Sequence, residues 1–584
     1  MKRNLIFKEK IFFGIFLWVS VLLVGFSAFS QTPYNIVMNI YDDPKTEMAF
    51  NWFTTSNSTG EQVQVAIGVT TNFTSPFKTL LAISEENVHK AVVTGLSPGT
   101  TYSFRLGKNG AWSDIGTFTT APNNKAPFSF IYVTDSQIDY QENPTFPKLE
   151  DHVLLQNNAN EALTQYPNAN FWLHCGDLMQ ENQYNMSQTP DRWKNFFSLQ
   201  QNMFLKKPFA PIIGNHDLES GVDNFKRHFN IASAQFDSHG STYTFIYGDA
   251  QFFGINSEWL GSNLTNYIAN LSVWMRNEIS AHPNIKWRIV YFHQSAYRGN
   301  EQHSSEGTLW RHAIVPLFDE LNIDIAFFGH DHLYQVIGPV FNNYTIPGSV
   351  TDVQQDTQVH PYNTTSKKGG IFNVSEGTLY FNNSSFGNFL NRALSDDQMP
   401  DSACTDLPHY FSLFTGMLGQ GGNTVNDHNY NSFYSNVMVY TDSIVITTHK
   451  VPHGIKTSLF LDEIKIIKQP INFPDIVINT NTVWNSDTLF WGNIIVQPNA
   501  TLTLNSNCTL KMNTGKKIIV EPDAKLVVNG GTITNARANK LWEGIVVKGT
   551  TANPQDEQTQ GSVILTNATI ENAVIAVNAA SENP

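Results

Sequence analysis

Phe209-Ala-Pro-Ile-Ile-Gly-Asn-His-Asp217 runs from five residues without a polar side-chain atom straight into an amide, an imidazole and a carboxylate. The apolar run has strand length and ends at a glycine, which predicts a buried strand stopping at a polar cluster. Four other places repeat the design. Phe128 to Val133 leads to Asp135-Ser-Gln137, Phe171 to Cys175 to Gly176-Asp177, Trp287 to Phe292 to His293, and Ile323 to Phe328 to Gly329-His-Asp-His332. Stretches between them, such as Lys148 to Gln165 and Ser272 to Ala281, can form helices against a sheet. Buried strands alternating with helices predict an α/β sandwich. Polar groups at the carboxyl ends of such strands are where open α/β sheets place their sites.

A chain of 584 residues exceeds one core and should divide into domains. Residues 31–122 carry short β-prone segments (Val63 to Val69, Lys90 to Val93, Tyr102 to Leu106, Gly116 to Thr120) separated by turn residues, the pattern of an all-β sandwich. Within it Leu96-Ser-Pro-Gly-Thr-Thr-Tyr102 resembles the tyrosine corner of fibronectin type III-like domains. Residues 123–470 form the α/β domain, with the runs between Tyr434 and Lys468 closing its sheets. Residues 471–584 change character: Gly492-Asn-Ile-Ile-Val-Gln-Pro498 is echoed by Lys517-Ile-Ile-Val-Glu-Pro522, and Pro498 and Pro522 stand 24 positions apart. Short β runs at this period predict coils of a parallel β-helix-like solenoid, with an ordinary β-sandwich as the alternative. The repeats reach Pro584 without an obvious capping segment, as in a fragment of a longer protein or a short solenoid.

The N-terminus reads as an export signal over residues 1–30. Lys2, Arg3, Lys8 and Lys10 precede the apolar stretch Ile11 to Phe26, and Ala28-Phe-Ser30 offers a cleavage site. A secreted, periplasmic or cell-surface location follows, with no membrane span after cleavage. Three scattered cysteines, Cys175, Cys404 and Cys508, do not make a disulfide framework. The formal charge of −14 is spread without a basic stripe, which argues against nucleic acid as the main partner.

Together the five clusters supply carboxylate and amide oxygens and imidazole nitrogens, enough to hold two metal ions side by side. Such a pair makes hydroxide near neutral pH and presents it to a phosphate ester. Singly, each cluster has a plainer reading: Gly-Asp marks a turn, Asn-His a loop, and a histidine after a β run a satisfied core residue. Five at successive strand ends favour the metal.

The order Asp-x-x, Gly-Asp, Gly-Asn-His-Asp, His, Gly-His-x-His resembles the calcineurin-like metallophosphoesterase superfamily. The sandwich in front of it, with Gly95-Leu-Ser-Pro-Gly-Thr-Thr-Tyr102, is similar to that of purple acid phosphatases. The resemblance spans about residues 33–468 and implies a ligand set. Asp177 would bridge two ions, Asp135 and His332 would serve one, and Asn215, His293 and His330 the other. Mixed nitrogen and oxygen donors suit divalent Fe, Zn or Mn. His216 would contact phosphate or protonate the leaving alkoxide, Asp217 would orient His216 or raise its pKa, and Asn215, His216 and His303 would face the substrate.

Two departures stand out. Gln180 occupies the position, three after the bridging Asp177, where purple acid phosphatases carry tyrosine. Gln137 replaces the histidine of Asp-x-His; it either offers an amide oxygen to the metal or hydrogen-bonds a metal-bound water. Without tyrosinate, two divalent ions and no visible charge-transfer band are expected. The reading is an exported acid phosphatase-like phosphomonoesterase. The alternatives are a phosphodiesterase or nucleotide pyrophosphatase, and a catalytically degenerate binding or adhesion module. The repeats leave open a cell-surface or glycan contact.

Overall fold

The computed structural model describes residues 31–137, 148–181, 189–219, 223–259, 263–299, 304–355, 367–387, 414–418, 431–452, 455–538, 540–556 and 558–581. The expected signal segment, Cys404 and His303 lie outside these residues.

In the N-terminal sandwich, alternate residues of facing strands point inward, as the two-residue period of a strand requires. Ile36 and Met38, Phe50 and Trp52, Val63 and Val65, and Tyr102, Phe104 and Leu106 build one core from both sheets. The Tyr102 hydroxyl accepts the Ser97 amide at 2.8 Å, which ties down the corner. Strand Tyr34–Asn39 also pairs in parallel with Phe209–Pro211 through Asn39 and Phe209, so this sandwich is joined edge-on to the next domain's sheet.

The central domain stacks two sheets between two pairs of helices. The first sheet contains the parallel strands Phe128–Val133, Phe171–His174 and Phe209–Pro211, extended by Asn431–Val439, Ser443–Pro452 and Leu459–Ile467. The second contains the parallel strands Ala250–Gly254, Trp287–Tyr291, Ile325–Phe327 and Thr378–Asn383. The parallel strands are covered on both faces, so their runs are mostly apolar, whereas Ser443–Pro452 and Leu459–Ile467 alternate buried with more exposed residues. Phe130 and Tyr132 point between the sheets, where Phe130 meets Phe252 at 5.4 Å and Tyr132 meets Phe327 at 4.7 Å. Ile131 and Val133 point the other way, into a core with Leu155, Ala159, Trp193 and Phe197 of helices Lys148–Gln165 and Thr189–Phe204. Helices Leu264–Ala281 and Ser304–Leu321 cover the second sheet through Leu271, Met275, Trp310 and Ile314.

The C-terminal region is built from three parallel sheets visited in rotation. Ile494–Val496, Thr501–Leu504 and Thr509–Met512 lie in different sheets, and each stacks on the corresponding strand of the neighbouring turn. Ile494 faces Ile518 and Leu502 faces Leu526, the same 24-residue offset that separates Pro498 from Pro522. Val496, Leu504, Leu510, Met512, Val520 and Val528 fill the interior. The region docks on the central domain where Trp491 meets Phe341 at 5.7 Å and Arg537 pairs with Glu376 at 2.6 Å. No helix among the described residues is long and apolar enough to cross a membrane.

Candidate metal centre

Every expected ligand sits within a few residues of the carboxyl end of one of these strands. Asp135 and Gln137 follow Phe128–Val133, Asp177 follows Phe171–His174, and Asn215 opens a 3₁₀ turn, Asn215–Leu218, after Phe209–Pro211. His293 follows Trp287–Tyr291, and His330 and His332 follow Ile325–Phe327. The backbone at five of them is left-handed: φ is 52° at Asp135, 35° at Gln137, 52° at Asp177, 71° at His330 and 51° at His332. Residues with a Cβ rarely adopt this conformation, and it persists where the surroundings over-determine it, as at binding sites. The motif glycines answer a second need, although Gly176 is itself left-handed with φ 86°. A Cβ on Gly214 would run into the amide and carboxylate of Asp177, and one on Gly329 into Thr134 and Asp135. A Cβ on Gly176 would lie 2.8 Å from His293 Nδ1. These glycines let the strand ends close on one another.

The result is two donor groups that share one carboxylate. Asp177, His293 and His330 make one, Asp135, Asp177 and His332 the other, with the ligand atoms of each group within 4.8 Å of one another. Asn215 Oδ1 belongs to the first, 3.0 Å from His293 Nε2 and 2.9 Å from His330 Nδ1. In the second, His332 Nε2 is 3.1 Å from Asp135 Oδ1. Gln137 donates its amide N–H to Asp177 Oδ2 at 2.9 Å, and its buried Oε1 has no hydrogen-bond partner among the described residues. Buried polar atoms are normally satisfied, so an orphaned amide oxygen here fits a cation or its water. The donor set, mixed nitrogen and oxygen with an imbalance of acceptors, fits divalent transition metals.

Surrounding bonds orient these groups. His293 donates Nδ1–H to the Cys175 carbonyl at 2.8 Å, which turns Nε2 toward Asn215 and Asp177. Asp177 Oδ1 accepts the His216 amide at 2.9 Å. Asp135 accepts the His330 amide at 3.0 Å on both oxygens and the Thr134 hydroxyl at 2.6 Å. Burial lowers the His330 imidazole well below its usual range, helped by Arg298 and the neighbouring histidines, which favours the neutral ring a metal needs.

Asp217 does not orient His216. Its carboxylate is fully buried and accepts the backbone amides of Gly214, Leu178 and Met179 at 3.0–3.3 Å, which pins the turn to the Asp177 strand end. Among the described residues Glu219 reaches the imidazole, and its Oε1 accepts His216 Nδ1–H at 2.8 Å. Burial would push the His216 ring down, but Asp177 and Glu219 leave it raised. Its Nε2 lies 4.0 Å from Asp177 Oδ2. Glu219 was not singled out in the sequence; the three-residue spacing from His216 within a short turn was the available signal. Glu258 was missed as well. It accepts Gln294 Nε2–H at 3.0 Å beside His293, and its sequence setting carries no motif.

Residues 33–120 match the purple acid phosphatase N-terminal domain family, and residues 128–334 match the calcineurin-like phosphoesterase family. Residues 128–334 are thus a calcineurin-like phosphoesterase domain, with a purple acid phosphatase-type domain in front. An uncharacterized protein of Mycobacterium tuberculosis is 24% identical over 328 residues, covering 50% of this chain and 60% of that one. Purple acid phosphatase 15 of Arabidopsis thaliana is 25% identical over 287 residues, 46% of this chain and 52% of that one. The chain thus spans about half to 60% of the length of these relatives. The solved purple acid phosphatase of yellow lupin (Lupinus luteus) seeds shares the fold, with a TM-score of 0.53 over 75% of each chain at 14% identity.

Proposed function

We propose that this chain is an exported phosphoesterase that hydrolyses phosphomonoesters at a centre of two divalent Fe, Zn or Mn ions. The observation that carries the reading is the sharing of Asp177 between two buried donor groups. Asn215, His293 and His330 would hold one ion and Asp135 and His332 the other, with Gln137 beside the bridging carboxylate. Bound there, such a pair supplies a nucleophile from water at neutral pH and neutralises charge on the phosphoryl oxygens. The protein's own part is to aim the site. His216, held over Asp177, binds a phosphoryl oxygen or hands a proton to the departing alkoxide. Asp217 keeps the turn that carries His216 against Asp177. The three C-terminal sheets are read as coils of a β-helix whose outer faces are available to a cell surface or glycan.

The test is hydrolysis by purified protein, stripped with chelator and then given Zn, Mn or Fe. Turnover of p-nitrophenyl phosphate above that of its bis-ester and of a nucleotide panel supports the reading. Preference for the bis-ester or nucleotides would make it a diesterase or pyrophosphatase. No turnover with any metal, together with no bound metal, would leave a binding module.

A further inference from the structure

We propose that Gln180 and Glu219 are positioning residues that form a relay onto His216 and fix the direction in which its imidazole meets the substrate. The inference rests on the phosphoesterase reading of the preceding section and adds to it two residues outside the expected site.

The relay begins in local geometry. The turn Asn215–Leu218 is 3₁₀, with three residues per turn, so side chains three apart eclipse one another. His216 and Glu219 therefore stack on the same side, joined at 2.8 Å, while Asp217 between them turns inward to the backbone amides. Glu219 is itself held. Gln180 donates Nε2–H to the same Oε1 at 3.0 Å. Gln180 stands three residues after Asp177, where the resembling phosphatases carry tyrosine, yet its amide points to Glu219.

The segment bearing Gln180 is clamped in turn. The buried Arg192 donates Nη1–H to the Gln180 carbonyl at 2.7 Å, and the Glu181 amide donates to the His216 carbonyl at 3.1 Å. Trp193 and Asn224 donate to Glu181 Oε1 at 2.8 and 2.9 Å. With Nδ1 fixed on Glu219, the ring plane and tautomer are set, and Nε2 faces Asp177 Oδ2 at 4.0 Å, the carboxylate common to both donor groups.

The experiment uses the full chain replenished with zinc. Glu219→Ala is expected to lower kcat on p-nitrophenyl phosphate about 10- to 100-fold through misplacement of the ring, with zinc content unchanged. Glu219→Gln keeps an acceptor for Nδ1–H and should restore most of that loss, and Gln180→Ala should cost a smaller factor. In a His216→Ala background, Glu219→Ala should add nothing, because a residue acting through His216 has nothing left to position. Inorganic phosphate should also bind the zinc protein more weakly after Glu219→Ala. Wild-type kcat in Glu219→Ala, an equal loss in both backgrounds, or a loss that follows zinc content would each overturn the relay. If the wild-type zinc protein turns over no phosphate ester, the functional reading fails first. Unaltered phosphate binding in Glu219→Ala would then overturn the relay separately.

Discussion

Asp177 Oδ2 lies 3.2 Å from His293 Nε2, both side chains fully withdrawn from water. Burial alone would push the His293 imidazole down, but the adjacent Asp177 carboxylate, with Asp135 and Glu258, raises it from 6.5 to about 10. A folded value above the unfolded one means that the pair's stabilisation is complete below pH 6.5 and is lost as pH rises toward about 10. Chelator-treated protein is therefore expected to melt at lower temperature as pH climbs through that window. Zinc-loaded protein should resist the change, since a bound cation replaces the proton. Thermal melts with and without zinc from pH 6 to 10 check this; a flat chelated profile would remove the pair from the stability of the fold.

Asp177→Asn and Gln137→Ala should separate the bridge from its neighbour. Asn keeps the acceptor for the His216 amide but loses the charge shared by both donor groups. Metal content should fall for both ions, and turnover by about 1,000-fold, several kcal/mol of charge stabilisation. Gln137→Ala should weaken binding about 10-fold and leave more than one ion per chain at saturating zinc. Elemental analysis beside phosphatase assays reads both variants.

Gly214→Ala tests the close approach of two strand ends without replacing a ligand. The backbone there is extended, with φ −115°, so alanine meets no conformational penalty. The added methyl would collide with Asp177. The expected outcome is a loss of about 1–3 kcal/mol in thermal or denaturant unfolding, together with weaker zinc binding. A variant as stable and as tightly metallated as wild type would mean that the approach is not tight.

The C-terminal docking is expected to stabilise the chain and leave the chemistry alone. Arg537 pairs with Glu376 and lies 4.1 Å from the Phe341 ring centroid, both contacts largely shielded. Arg537→Ala should cost about 1–2 kcal/mol and make the junction near residue 470 more susceptible to protease. Zinc content and kcat should stay at wild-type values.

The strand-and-cluster pattern was legible because its physics is local. A strand buried on both faces must be mostly apolar, and a metal site at its end must break that run with a few polar residues. That is why Phe128 to Val133 and Ile323 to Phe328 could be read directly, and why the 24-residue echo between Pro498 and Pro522 pointed to stacked parallel strands. The donor types at the five clusters likewise required no coordinates.

Proximity could not be read that way. Nothing in the order of residues says that Asn215 Oδ1 rests between His293 and His330, or that the sheet of the N-terminal sandwich runs on into the central one through Asn39 and Phe209. The choice between Asp217 and Glu219 as the partner of His216 shows the limit most clearly. Adjacent in sequence, Asp217 was the natural candidate; a turn of three residues per revolution sends it into the backbone and brings Glu219 over the ring. Sequence determined which chemical groups are available at the strand ends. Chain geometry decided which of them meet, because side-chain direction depends on a few backbone angles and on packing from residues far away along the chain.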